Sequence, residues 1–425
     1  MPRITRVLAV PAIGASYCEN LTALQERSIP LPDLYISEPV TAGFHAVRQV
    51  AEAVSVGLEL DHGHIAWGDC VAAVDGSKLS HDSIFHAEAG LATIQLAVAS
   101  KLQGRALTSF RELASEIDAL TEPVQITQKE GEDQITGEQR LHSAIRYGVS
   151  QAILRAVALV RGITMAEVIA EEWNLPQPEA PIPIHAKSIH DHYHDADKMI
   201  VCHVASLPDT LLDNTPEQLG EDGKLLVQYT RWLSERIEQL GGSDYIPTIH
   251  LNLHGALGQI CRNDLGRVLG QLYALEQAAQ PYPLRIECPM IMENRQAQIE
   301  AVKTLCKYTR FRKMKVQLVA DDWANTLDDI IAFIEARATD MIRVKTPHLG
   351  SLHNSIEAVL ACKANSVGAF LDGSCAESDL STYVLIHVAL ATRPDIIMSK
   401  PGVGVEEGIM LTQNEMARTL VSIKH

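Results

Sequence analysis

Beyond residue 181 the chain repeats one kind of unit. Short apolar runs of strand length alternate with stretches whose apolar residues recur at helical spacing. Such alternation points to a parallel sheet, because parallel neighbours need a crossover between them. The strand-like runs are Ile182–Ala186, Met199–Val204, Thr248–Leu253, Leu284–Glu287, Val316–Asp321, Met341–Lys345, Val367–Leu371 and Ile396–Ser399. Helical patterns at Gly223–Leu240, Asn263–Gln277, Glu293–Cys306, Thr326–Ala336, His353–Ala364 and Ser378–Ala391 separate most of them. Eight runs in roughly 240 residues match the ~250 of a (β/α)8 TIM-like barrel. An open doubly wound sheet is the alternative, but no GxGxxG follows a first strand to favour it. The segment between Ala186 and Met199 is too short for a good helix, so the barrel is expected to be irregular there.

Upstream of the cluster Pro176, Pro178, Pro181 and Pro183 the pattern is mixed. Strand-like runs Ile4–Val10 and His64–Asp69 accompany an amphipathic stretch Gly43–Glu59 and an alanine-rich one, Glu88–Leu102. Apolar residues recur at helical spacing from Arg140 to Val160, and Thr164 with Glu167 makes a capping box for a further helix ending near Asn174. This is an α+β pattern, and it sets an N-terminal domain over 1–165 and the barrel over 166–425. With 425 residues, 46% of them hydrophobic, the chain has enough apolar material for two cores. A net charge of −17 without any Lys/Arg run argues against a nucleic-acid partner. No stretch reaches the ~20 apolar residues of a membrane helix. The eight cysteines form no CxxC pair, which fits reduced thiols and a cytoplasmic setting.

The barrel strands aim charge at one edge. Asn252, Glu287, Asp321 and Lys345 end the third to sixth runs, and the carboxyl edge of a parallel barrel is where its chemistry sits. An oxygen-only set suits a hard cation such as Mg2+, which prefers a few carboxylates completed by water and substrate oxygens. Lys345 opposite that set is the expected general base for removing a proton α to a carboxylate. Arg343, two residues earlier on the same strand face, would help lower its pKa. Lys187 and Ser188 end the first run and are expected to contact a small carboxylate substrate.

Several motifs together resemble a known family. Arg285-Ile286-Glu287-x-Pro289, Leu318-Val319-Ala320-Asp321-Asp322-Trp323, Lys345-Thr346-Pro347-x-Leu349-Gly350, Gly373-Ser374-Cys375-x-Glu377 and Lys400-Pro401-Gly402-x-Gly404-Val405-x-Glu407-Gly408 are similar, in this order, to methylaspartate ammonia-lyase, a branch of the enolase superfamily. Weaker likeness extends through Asp197-Lys198-Met199-Ile200 and Gly68-Asp69-Cys70, so it covers most of the chain. The resemblance implies an N-terminal α+β capping domain on a modified barrel, Mg2+, a homodimer, and elimination of ammonia from 3-methylaspartate or a related amino diacid. It places Asn252, Glu287 and Asp321 at metal-ligand positions, Lys345 at that of the base, and Ser374 and Cys375 where the substrate carboxylate is contacted.

The departures are as informative. Asn252 stands where the family has a metal-binding Asp, and Asp209 where it has a catalytic His. Lys187, Arg343 and Val74 stand where it has substrate-contacting Gln. Counted as isolated charges these changes make the pocket more positive by about two units, and one like-charge pair at ~4 Å costs about 4 kcal/mol at an effective dielectric of ~20. A substrate ammonium beside Arg343 is then disfavoured. That leaves two further expectations beside the lyase: a dehydratase or isomerase acting on a hydroxy or polycarboxylic acid, or a catalytically weak paralogue that serves as a binding protein. The tract His190-Asp191-His192-Tyr193-His194-Asp195 reads as a solvated loop, and one of His250 and His254 as support for the metal shell.

Overall fold

The computed structural model describes residues 2–27, 29–72, 82–126, 135–188, 191–210 and 219–423. Its N-terminal part is built on an antiparallel sheet of β1 (Ile4–Glu19), β2 (Arg48–Leu60) and β3 (Ile65–Val71), in that order. A two-stranded hairpin, β4 (Thr121–Ile126) with β5 (Ile135–Arg140), lies apart from that sheet. The amphipathic stretch Gly43–Glu59 is therefore strand, not helix, over most of its length. Its valines at 47, 50, 54 and 56 are stiff at χ1 and fit a pleated surface, and Ala53, Val54, Val56, Leu58 and Leu60 enter the core.

The helix Ser143–Arg161 packs across β3, and glycines set how close it comes. A Cβ on Gly68 would lie 2.3 Å from the Gly148 carbonyl oxygen, and one on Gly148 would lie 2.4 Å from the Cys70 backbone nitrogen. The next helix, Met165–Glu172, begins with the expected Thr164–Glu167 capping box.

Eight parallel strands close the barrel: β6 (Ile184–His185), β7 (Ser206–Thr210), β8 (Thr248–Asn252), β9 (Leu284–Glu287), β10 (Gln317–Ala320), β11 (Met341–Lys345), β12 (Gly368–Asp372) and β13 (Ile396–Met398). Sequential strands pair in register, for instance Asn252 with Glu287 and Lys345 with Asp372, and β13 returns to β6 through Met398 and His185. One strand expectation fails. The run Met199–Val204 ends a helix, His192–Val201, and the second barrel strand is Ser206–Thr210. A short apolar run is ambiguous between helix face and strand. Asp191 accepts from the backbone N–H groups of Tyr193 and His194, so the histidine tract starts a capped helix instead of forming a loop; His190 lies outside the described residues. Tyr193 packs edge-on against Trp232 and Tyr229 of the following helix.

Candidate active site

The carboxyl edge of the barrel gathers Asp209 from β7, Asn252 from β8, Glu287 from β9, Arg343 and Lys345 from β11 and Asp372 from β12. Asp321 directly follows β10, and Lys187 follows β6. Arg343 is the hub. Its Nη1 lies 2.5 Å from Glu287 Oε1 and 3.4 Å from Asp209 Oδ1, while Nε and Nη2 lie 2.9 and 2.8 Å from Asp372 Oδ2. The guanidinium also sits over the Phe370 ring, 5.0 Å from its centroid, a geometry a planar cation favours. All four charged side chains of this hub are buried.

Beneath the hub His185, His250 and Phe370 form a layer, with ring centroids 4.5 to 5.4 Å apart. Burial lowers the pKa of both histidines, so each is neutral at pH 7. His185 bridges Ser206 Oγ at 2.6 Å and Asp209 Oδ1 at 3.2 Å, and His250 Nε2 lies 2.9 Å from Glu287 Oε2. Asn252 completes the far side: its Nδ2 donates to Glu287 Oε1 at 2.5 Å and to Asp321 Oδ2 at 3.5 Å, and its Oδ1 accepts from the His254 backbone N–H at 3.1 Å.

The charges are tuned by these neighbours. Burial works against ionised Asp209, but Arg343, His185 and Lys187 outweigh it and hold the carboxyl well below the usual range. Burial likewise opposes the Asp321 charge, and Lys345, Arg343 and His254 reverse the balance. Glu287 is pushed upward by burial and by Asp321 and Asp209; Arg343 is the group that opposes this. Lys345 Nζ lies 2.6 Å from Asp321 Oδ1, at the outer side of the ring. Lys187 Nζ lies 3.7 Å from Asp209 Oδ2.

A second polar line ties the mouth to the N-terminal part. Tyr147 donates its hydroxyl to Glu377, and Thr346 Oγ1 reaches both Tyr147 at 3.3 Å and the Asp372 carbonyl at 3.2 Å. Burial pushes the Glu377 carboxyl up to about 7. Lys400 Nζ donates to the carbonyls of Ser374 at 3.3 Å and Cys375 at 3.1 Å, bracing the turn after β12.

Comparison with known proteins agrees with this arrangement. The chain matches the family models for the methylaspartate ammonia-lyase N-terminus over residues 2–174 and C-terminus over residues 177–425. It is 39% identical over 422 residues, 99% of both chains, to methylaspartate ammonia-lyase 2 of Carboxydothermus hydrogenoformans. The chain belongs to the methylaspartate ammonia-lyase family. Among solved structures, the Citrobacter amalonaticus methylaspartate ammonia-lyase containing (2S,3S)-3-methylaspartic acid superposes with a TM-score of 0.91 at 36% identity, covering 100% of each chain. The Mg complex of β-methylaspartase from Clostridium tetanomorphum gives 0.88 at 36% identity, covering 99% of each.

Within this family frame, the residues singled out from the sequence divide. Lys345, Asp321, Glu287, Asn252, Arg343, Asp209 and Lys187 converge on one ring. Ser188, next to Lys187, donates its hydroxyl to Asp195 at 3.2 Å. Ser374 spends its hydroxyl on the Ala72 carbonyl at 3.0 Å and the Ala376 N–H at 3.2 Å. Cys375 is half-buried beside Lys187, whose pKa it helps raise against burial. Val74 lies outside the described residues. Sequence reasoning missed Asp372 and His185. Asp372 stands one residue past the run Val367–Leu371, and the strand-end rule that found Glu287 would have found it.

The residues present do not fit a resident divalent cation. Both Glu287 oxygens already accept donors, Asn252 turns its NH2 toward the carboxylates, and Asp321 Oδ1 is paired with Lys345. Turning the amide over would set its oxygen against Glu287 and break its bond to the His254 N–H. Among the described residues no group of three or more His, Cys, Asp or Glu is disposed to hold a metal ion, and none of the helices is long and apolar enough to cross a membrane. The charge expectation is also revised. Asp209, Glu287 and Asp372 all face Arg343, so its charge is met by side chains of the ring. Arg343 is neutralised inside the protein and does not present a bare charge that would repel a substrate ammonium.

Proposed function

We propose that the barrel mouth is the active site of a carbon–nitrogen lyase acting on an amino dicarboxylate of the 3-methylaspartate type. The observation that carries this reading is Lys345, standing at the end of β11 beside Asp321 at 2.6 Å, at the edge where barrel enzymes act. Lys345, in its neutral amine form, takes the proton from the carbon next to one substrate carboxylate and becomes an ammonium paired with Asp321. The C–H electron pair becomes a carbon–carbon double bond, and the C–N pair on the adjacent carbon leaves with nitrogen as ammonia. Lys187, after β6 and three strands round the barrel from β11, is placed to receive a substrate carboxylate. Asp209 acts as a positioning residue: buried and held in its ionised form, it carries no proton to donate at neutral pH and instead orients Arg343 and Lys187. With Arg343 held against Asp209, Glu287 and Asp372, its charge is not turned against the substrate's ammonium, which favours the amine-bearing substrate over a hydroxy acid. A second copy of the chain is the partner the family implies.

The test is incubation with 3-methylaspartate in deuterated water, following unsaturated product, ammonia and deuterium uptake. Wild type is expected to release ammonia, and Lys345→Ala to lose ~10^2–10^4-fold in rate, the usual contribution of a positioned base. Deuterium uptake without ammonia release would move the reading to an isomerase or dehydratase. No uptake from any amino or hydroxy diacid would leave a binding protein.

A further inference from the structure

The ring holds a buried cation, Arg343, and its setting is made by residues from several strands. Asp209, Asn252 and Arg343 come from separate strands, yet they are linked through Glu287 in one hydrogen-bonded line. Each makes physical sense in terms of the others. A guanidinium placed against Glu287 brings positive charge to the carboxylates. An amide at 252 satisfies Glu287 and Asp321 as a donor without adding a further negative charge. A carboxylate at 209 supplies the counter-charge on the guanidinium's other edge.

We propose that the Arg343 guanidinium takes the place of a divalent cation in this ring, so that the barrel mouth has no resident metal ion. The arginine is not a side chain that an arriving ion would simply push aside. It is buried, contacts carboxylates from β7, β9 and β12, and covers the Phe370 face. Drawing it away from Glu287 would strand Asp209 and Asp372 as buried charges with their principal cation removed, a strongly unfavourable change. Mg2+ demands near-ideal octahedral geometry, and of the three residues expected to ligate it, the carboxylates Glu287 and Asp321 each already face a protein cation while the third, Asn252, turns its NH2 toward them. This inference concerns the resting ring and stands whether or not the substrate is an amino diacid.

Metal binding to the full-length, chelator-treated protein tests it, with free Mn2+ followed by electron paramagnetic resonance and Mg2+ as competitor. Wild type is expected to show no stoichiometric site tighter than ~1 mM, the weak end of oxygen-ligand sites. The triple variant Asp209→His, Asn252→Asp, Arg343→Gln is expected to gain one Mn2+ site at least ~100-fold tighter, as ligand charge and its supporting contacts are restored. A stoichiometric micromolar site in wild type that disappears in Glu287→Gln overturns the proposal. So does a folded triple variant that still binds no Mn2+. If the triple variant does not fold, the wild-type titration decides. Because this readout needs no substrate, its failure is distinguishable from failure of the lyase reading. Where turnover is found, a rate unchanged by a chelator supports the proposal, and loss of turnover on chelation opposes it.

Discussion

Replacing Arg343 by Met should cost the fold a large fraction of its stability, and the structure shows where. Glu287 keeps Asn252 as donor and His250 as hydrogen-bond partner after the change, and Asp209 keeps His185 and Lys187. Asp372 fares worst. Both of its contacts with Arg343 go to Oδ2, and its Oδ1 has no hydrogen-bond partner among the described residues. Removing one partner of a buried pair costs about 3–5 kcal/mol, and methionine replaces most of the apolar stem, so the loss is chiefly electrostatic. Urea unfolding at pH 7 should show a deficit of that size. The companion Arg343→Met/Asp372→Asn should recover about half of it, since an amide at 372 no longer needs a cation.

The pH dependence of that deficit has a definite sign. In wild type the Asp209 carboxyl is held below its ordinary value, so its contribution to stability is present above the unfolded pKa and disappears as pH falls through the folded one. Without Arg343 that contribution shrinks to what His185 and Lys187 supply, and Glu287, already raised by burial, takes a proton more readily. The gap between wild type and variant should therefore narrow as pH falls from about 7 to about 4 through protonation of Glu287 in the variant, and narrow further below about 4, where the Asp209 contribution of wild type is lost. A deficit below ~1 kcal/mol at pH 7, or one that does not change with pH, would refute the reasoning that Arg343 is the counter-ion of this ring.

Two further outcomes follow from packing and titration. Gly148→Ala should lower stability by about 1–3 kcal/mol in the same urea assay, because its Cβ would meet the Cys70 backbone nitrogen at 2.4 Å and the helix cannot back away without opening the sheet contact. Glu377 has its pKa raised from 4.5 to about 7 by burial, so the penalty for ionising it in the folded state is absent at low pH and grows as pH rises toward 7. Relative to Glu377→Gln, wild type should lose stability over that interval and then level off. A flat difference across it would show that Glu377 titrates normally.

Much of the barrel was legible because each strand is short, apolar and bounded by a helical pattern. The runs Leu284–Glu287 and Met341–Lys345 coincide with β9 and β11, and the charged residue at each end follows directly. Failures came where periodicity is degenerate. Met199–Val204 is equally apolar as helix face or strand, and only its packing beside β7 decides for helix. Gly43–Glu59 reads as an amphipathic stretch apart from the strand-like runs, and pairing with β1 and β3 makes most of it β2.

What the sequence determined by itself was which residues reach the carboxyl edge, because a strand's end and its alternation are local properties. Lys345, Glu287, Asp321, Asn252 and Arg343 were all placed there by one-dimensional reasoning. Tertiary structure decided what those residues do to one another. Counted along the chain, Arg343 is an added positive charge that should repel an ammonium. Closed into a barrel, it lies against carboxylates delivered by β7, β9 and β12, strands as many as 134 residues away. Its charge is spent within the protein. Electrostatic energy depends on distance and burial, which only ring closure sets.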